Sequence, residues 1–135
     1  MSEMASWAIN LSAVTLFTED LAGSTAFYSR AFDEEPTYQD DASTVFRLGT
    51  TLINVLDVRH AGTLIGPAQP GGSEARSRVQ LTITVADVDA VCAALSSRGI
   101  PLLNGPLDRD WGVRTACFED PAGHKWEIAQ PITAN

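Results

Sequence analysis

The chain reads as two copies of one supersecondary unit. Val14-Thr-Leu-Phe-Thr-Glu-Asp20-Leu21 lies on Leu81-Thr-Ile-Thr-Val-Ala-Asp87-Val88 without a gap. Each stretch is an apolar run, then an Asp, then the start of a helical pattern. Further along, Leu52-Ile-Asn54-Val55 lies on Lys125-Trp-Glu127-Ile128, near the end of each copy. A repeat constrains the fold strongly, because both copies must bury the same face of the same unit. It also pairs Ala13 with Gln80, and Asn54 with Glu127.

Within the first copy, residues 11–17 are apolar and rich in strand formers, and Glu19-Asp20 closes them. Asp20 caps a predicted helix over about residues 20–32, with Phe27, Tyr28, Ala31 and Phe32 as its packing stripe. Pro36 to Gln39, Ser43 to Leu48 and Thr51 to Val58 are predicted strands, separated by turns at Asp40-Asp41 and Gly49. Residues 59–77 lack periodicity and carry Gly66-Pro67, Gln69-Pro70 and Gly71-Gly72-Ser73, so they read as a linker. In the second copy Asp87 caps a helix over about residues 88–98. Its Val88, Val91, Cys92 and Leu95 follow the helical period, and Gly99 ends it. Leu102-Leu103, Val113 to Glu119 and Lys125 to Gln130 supply three strands, the last after an Asp120-Pro121-Ala122-Gly123 turn.

Composition narrows the class. A chain of 135 residues suits one compact domain, here a first module over about 9–58, the linker, and a second module over about 78–131. Its apolar content of 44% is ordinary for a globular protein, and no apolar run is long enough to span a bilayer. Met1-Ser-Glu-Met-Ala lacks the basic region and apolar stretch of a secretory signal. Cys92 and Cys117 make no disulfide framework, which predicts a reducing cytoplasmic setting. A net charge of -8 argues against a nucleic-acid partner.

Phe118-Glu-Asp-Pro-Ala-Gly-His-Lys-Trp-Glu127-Ile128 resembles the final hairpin of the vicinal oxygen chelate superfamily, which groups glyoxalases, bleomycin-resistance proteins and extradiol dioxygenases. The opening strand with Asp20-Leu21 and Phe27-Tyr28 resembles the start of that fold, so the likeness covers nearly the whole chain. It implies an α+β fold of two tandem β-α-β-β-β modules whose sheets curl around a cleft. In the metal-dependent members one ligand comes from each first strand and one from each last strand. Carried onto this sequence, those positions are Ala13, Asn54, Gln80 and Glu127.

Strand alternation gives an independent reading of the same positions, since successive side chains point to opposite faces. Val14, Leu16, Leu81, Ile83 and Val85 should pack under the helices. Ala13, Thr15, Phe17, Gln80, Thr82 and Thr84 should then face the cleft. Ile53 and Val55 put Asn54 there, as Trp126 and Ile128 do for Glu127.

Ala13 can donate nothing to a metal, Asn54 and Gln80 offer neutral amides, and only Glu127 is anionic. Zinc, nickel or iron sites want His, Cys or several carboxylates. The expectation is therefore no cofactor, with a divalent metal completed by water or substrate as the alternative. Glu127 can be a general base in an apolar cleft, a partner for a ligand cation, or a carboxylate held charged by Gln80 or Asn54. Trp111 and Arg114 lie between two strands. Trp111 can stack on a planar ligand and Arg114 can pair with an anion, or the two can cover the core and bridge neighbouring Asp residues. His60 and His124 read as solvated, Cys92 as core and Cys117 as inert packing. The expected activity is metal-independent binding of a small organic molecule at Asn54, Gln80, Trp111, Arg114 and Glu127, in a homodimer, since the resemblance implies modules that can associate between chains. Two enzyme readings stay open: a metal-dependent lyase or dioxygenase, and a metal-free enzyme with Glu127 as base.

Overall fold

Asp20 and Asp87 start the two long helices in the same way. In the computed structural model, which describes residues 7–72 and 74–132, Asp20 accepts from the Gly23 N–H at 2.9 Å, and Asp87 from the Ala90 N–H at 3.1 Å. Each cap satisfies a donor that a helix start leaves without an intrahelical partner. A Cβ at Gly23 would lie 2.2 Å from the Asp20 carboxylate as it is placed, whereas the second cap accommodates the Cβ of Ala90.

Around these helices each half of the chain builds one four-stranded sheet. The first module runs β1 (Ala13–Thr18), α1 (Leu21–Phe32), β2 (Tyr38–Gln39), β3 (Ser43–Leu48) and β4 (Thr51–Asp57). The second runs β5 (Gln80–Thr84), α3 (Val88–Ser97), β6 (Asn104–Asp108), β7 (Val113–Glu119) and β8 (Lys125–Pro131), with α2 (Ala61–Ile65) preceding it in the connection. The strand orders are β1-β4-β3-β2 and β5-β8-β7-β6, the same topology twice. The first strand of each module pairs parallel to the last, and the remaining pairs are antiparallel. The register repeats as well: Thr15 lies opposite Asn54, and Thr82 opposite Glu127. This is the α+β architecture of tandem β-α-β-β-β modules.

Two expectations need correction. The strand placed at Leu102-Leu103 lies at Asn104–Asp108, with Leu103 giving one backbone bond to the Cys117 carbonyl just before it. Apolar character drew the reading to the leucines, but backbone pairing continues past them through an irregular stretch between Asn104 and Leu107. The linker is also not wholly irregular. Val58–His60 form a 3-10 turn, capped by the Asp57 carboxylate through the Arg59 N–H, and α2 follows directly.

One core serves both modules. Leu16, Phe46, Ile53 and Val55 from the first sheet join Ala116, Phe118, Trp126 and Ile128 from the second. The aromatic stripe of α1 fills the space between them. Tyr28 and Phe32 meet Trp126 edge-on, at ring separations of 5.9 Å and 5.5 Å, and Phe27 lies 6.2 Å from Phe118. Edge-to-face pairs of this kind contribute about 0.5–1.5 kcal/mol beyond the area they bury. Polar groups complete the junction. Trp126 Nε1 donates to the Tyr28 hydroxyl at 2.9 Å, and that hydroxyl donates to Asp120 Oδ2 at 2.5 Å. At the far end, Arg98 Nη1 donates to the Ala31 carbonyl at 3.3 Å.

Candidate functional site

The helices and the shared core cover one face of each sheet, so alternation leaves the other face for polar groups. On the first sheet this open face carries Ala13, Thr15 and Asn54, and Asn54 Nδ2 donates to Thr15 Oγ1 at 3.4 Å. On the second it carries Gln80, Thr82, Cys117 and Glu127. Thr82 Oγ1 donates to Glu127 Oε1 at 2.9 Å, and Gln80 Nε2 lies 3.7 Å from Cys117 Sγ. Gln80 and Thr82 are exposed, while Glu127 and Asn54 are half-buried.

The structure thus brings Gln80 and Glu127 together and puts Asn54 on the other sheet. Within one chain the two sets therefore belong to different sheets. The α1 stripe joins the modules through the opposite, helix-bearing faces, where Tyr28 meets Trp126 and Asp120. Among the described residues no hydrogen bond joins the Asn54 set to the Glu127 set.

Arg114 lies on the other face from Glu127. It neighbours Thr115 in β7, so alternation turns it toward α3, where it binds Asp89 and Asp108, each at 3.0 Å. These two carboxylates raise the guanidinium pKa further through hydrogen bonds, Asp108 first. Trp111 sits 70% exposed in the turn between β6 and β7. Its partner is Arg109, which the sequence reading passed over. The Arg109 guanidinium lies 5.9 Å from the centre of the Trp111 ring, and its Nε donates to Thr115 Oγ1 at 2.9 Å. Thr115 shares the open face with Cys117 and Glu127, two residues apart along β7 from Cys117. Alternation starting at Cys117 could have found Thr115; only the folded turn shows that Arg109 curls back over it.

His124, read as solvated, is half-buried, and its Nδ1 lies 2.8 Å from Asp120 Oδ2. Asp120 is buried, and it also accepts from the Ala122 and His124 N–H groups. His60 ends the 3-10 turn and is exposed. Cys92 is buried in the core, and its thiol pKa is raised by that burial first and by nearby Asp89 second. Among the described residues no three His, Cys, Asp or Glu side chains gather in a group that could hold a metal ion.

A model of the Glyoxalase/Bleomycin resistance protein/Dioxygenase superfamily matches residues 10–128. An uncharacterized protein of Mycobacterium bovis is 29% identical over 126 residues, spanning 87% of this chain and 80% of the relative. The crystal structure of a glyoxalase/bleomycin resistance protein/dioxygenase from Nocardioides superposes with a TM-score of 0.77 at 19% identity, over 98% of this chain and 91% of that one. A glyoxalase-related enzyme from Fulvimarina pelagi gives 0.76 at 24% identity, over 93% of each chain. At these identities the two structures show the shared fold.

Proposed function

Given that the chain belongs to the glyoxalase/bleomycin resistance protein/dioxygenase superfamily, we propose that it binds a small organic molecule without a metal, on the open faces that carry Asn54, Gln80 and Glu127. The donor set at the four superfamily ligand positions is the observation that carries this reading. Ala13 has no donor, Asn54 and Gln80 have neutral amide oxygens, and Glu127 is the single anion. One carboxylate and two amides fit a zinc, nickel or iron ion poorly, and a transition metal draws on imidazole, thiolate or several carboxylates.

The same groups suit an organic ligand. Thr82 engages one oxygen of Glu127, which leaves the other to accept from a ligand N–H or to face a cationic amine. The Asn54 and Gln80 amides can each donate and accept. Trp111, held by Arg109, offers a flat surface for stacking. Two copies of the chain close the site, the first sheet of one copy lying over the second sheet of its partner. Binding pockets are concave and mostly apolar with few polar groups, and a single open face is only half of one.

Metal analysis and thermal shift test the reading together. After dialysis the protein should hold no stoichiometric zinc, nickel or iron, and a chelator should leave its melting temperature unchanged, since a structural metal would couple to folding. A screen of aromatic and amine-bearing metabolites should find a ligand that raises that temperature, by about 2.7 kcal/mol of stability at a hundred times its Kd. Glu127→Gln should reduce the ligand's effect and leave the unliganded melting temperature in place. Stoichiometric metal, or lyase or dioxygenase turnover gained on adding one, would overturn the proposal.

A further inference from the structure

A cavity lies where the end of β1 meets the start of β5, and Asn54, Thr82 and Glu127 are not among the residues that line it. Its volume is about 270 Å³, just below the roughly 300–1,000 Å³ of drug-sized ligand sites, which suits a smaller molecule. Leu16, Phe17, Val79 and Leu81 give it an apolar wall, and residues 70–72 and 75–78 of the connection border it. Val79 is 66% exposed, an apolar side chain left facing solvent at the cavity's edge.

The charge on this wall runs against the rest of the chain. The protein carries -8 overall, yet Arg76, Arg78, Lys125 and His124 all line the cavity. Two of these are already engaged. Lys125 Nζ binds Glu119 at 2.9 Å and the Gly123 carbonyl at 2.7 Å. His124 is held by Asp120. Arg76 and Arg78 are different: among the described residues neither makes an ion pair or a side-chain hydrogen bond. The Glu74 carboxylate lies beside Gly72 at the cavity's border, but among the described residues no carboxylate pairs with either arginine, so the two guanidinium groups supply forked donors for an anion beside a wall for its apolar body.

We infer that this cavity binds an amphiphilic organic anion, a small molecule with one carboxylate-like head and an apolar body, with Arg76 and Arg78 on the head and Phe17, Val79 and Leu81 on the body. Electrostatics and burial then act on one ligand from opposite ends. A solvated arginine pair would instead show no preference for an anion carrying an apolar tail.

Calorimetry with octanoate, and with 1-octanol as its uncharged match, tests this on the full chain. Octanoate should bind saturably with one site per chain and more tightly than octanol. The double variant Arg76→Gln/Arg78→Gln should weaken octanoate roughly tenfold or more and leave octanol unchanged. Both arginines are exposed, so the variant should fold, which circular dichroism and the melting temperature check. Arg47→Gln, an exposed position on β3, should leave octanoate binding as it is. So should Glu127→Gln, which separates this cavity from the open faces. Absence of saturable octanoate binding, equal affinity for octanoate and octanol, or an unaffected double variant would each overturn the inference.

Discussion

Tyr28 is the residue on which most of the junction between modules converges. Its ring packs against Trp126, and its hydroxyl both accepts from Trp126 and donates to buried Asp120. Burial first, and the Asp120 charge second, raise the phenol's pKa, so it stays a neutral donor. Tyr28→Phe keeps the ring but leaves an indole N–H and a carboxylate oxygen each short of a partner. Unmet buried groups cost about 1–3 kcal/mol, and urea unfolding should show a loss of that size. Asp120 gives the same network a pH dependence. Burial pushes its pKa up, but hydrogen bonds from His124 and Tyr28 and the charge on His124 hold it below the ordinary carboxylate value. A depressed folded pKa means stability that is present above the unfolded value of about 3.9 and is lost as pH falls from there through the folded value. Asp40, held down to about 2 chiefly by Tyr38, and Asp57, held down to about 2 chiefly by Arg59, add to the acid loss. The comparison that isolates Asp120 is Asp120→Asn, whose stability should fall less steeply than that of the parent chain below about pH 4. Parallel curves for the two proteins would show that the Asp120 carboxylate is not held by these bonds.

Among the elements, β6 is the one whose local sequence least resembles its role. Gly105 and Pro106 stand where a strand former is expected, and glycine is needed for two reasons. Its φ is +84°, and a Cβ there would lie 2.4 Å from the Thr115 carbonyl oxygen and 2.7 Å from the Ala116 Cα. Both contacts are with backbone of β7, which cannot move without breaking its ladder to β8. Gly105→Ala should therefore destabilise by about 1–3 kcal/mol, the usual cost of a residue held in a disfavoured backbone region. It should also disturb the Arg109–Trp111 turn that β6 leads into, which tryptophan fluorescence can follow. An alanine variant as stable as the parent would mean that β6 has room to shift. The helices behave in the opposite way, since caps and apolar period agree with their positions to within a residue or so.

For the molecule as a whole, the decisive feature is that both modules share one core under their helix-bearing faces, with the polar groups on the other face of each sheet. Leu11 beside the first open face, and Leu107 and Trp111 toward the second, keep apolar surface in solvent. A second copy would cover it. Light scattering at micromolar concentration should give twice the 14.4 kDa chain mass, and the monomer mass would count against the proposed pairing. Mixing gives a sharper check. Asn54→Leu and Glu127→Leu should each lose ligand binding alone. Mixed heterodimers should regain one intact site, with Asn54 from one chain and Glu127 from the other. A site built within one chain would regain nothing, because every chain in the mixture carries a change.

Several levels of this structure were legible from the residues alone. The ungapped repeat around Asp20 and Asp87 determined two equal modules, and alternation around Ile53, Val55, Trp126 and Ile128 determined which faces Asn54 and Glu127 occupy. Both are local properties, since a cap acts over one turn and a strand's alternation is built into each residue step. Tertiary structure alone decided what lies at long range. The direction in which the modules dock depends on the α1 aromatics meeting Trp126 across about a hundred residues of chain, and no local period encodes that contact. The same holds for Arg114, whose face follows from alternation but whose Asp89 partner sits on another element. His124 looked solvated in its turn because Tyr28, which shares Asp120 with it, lies 92 residues from Asp120 in sequence.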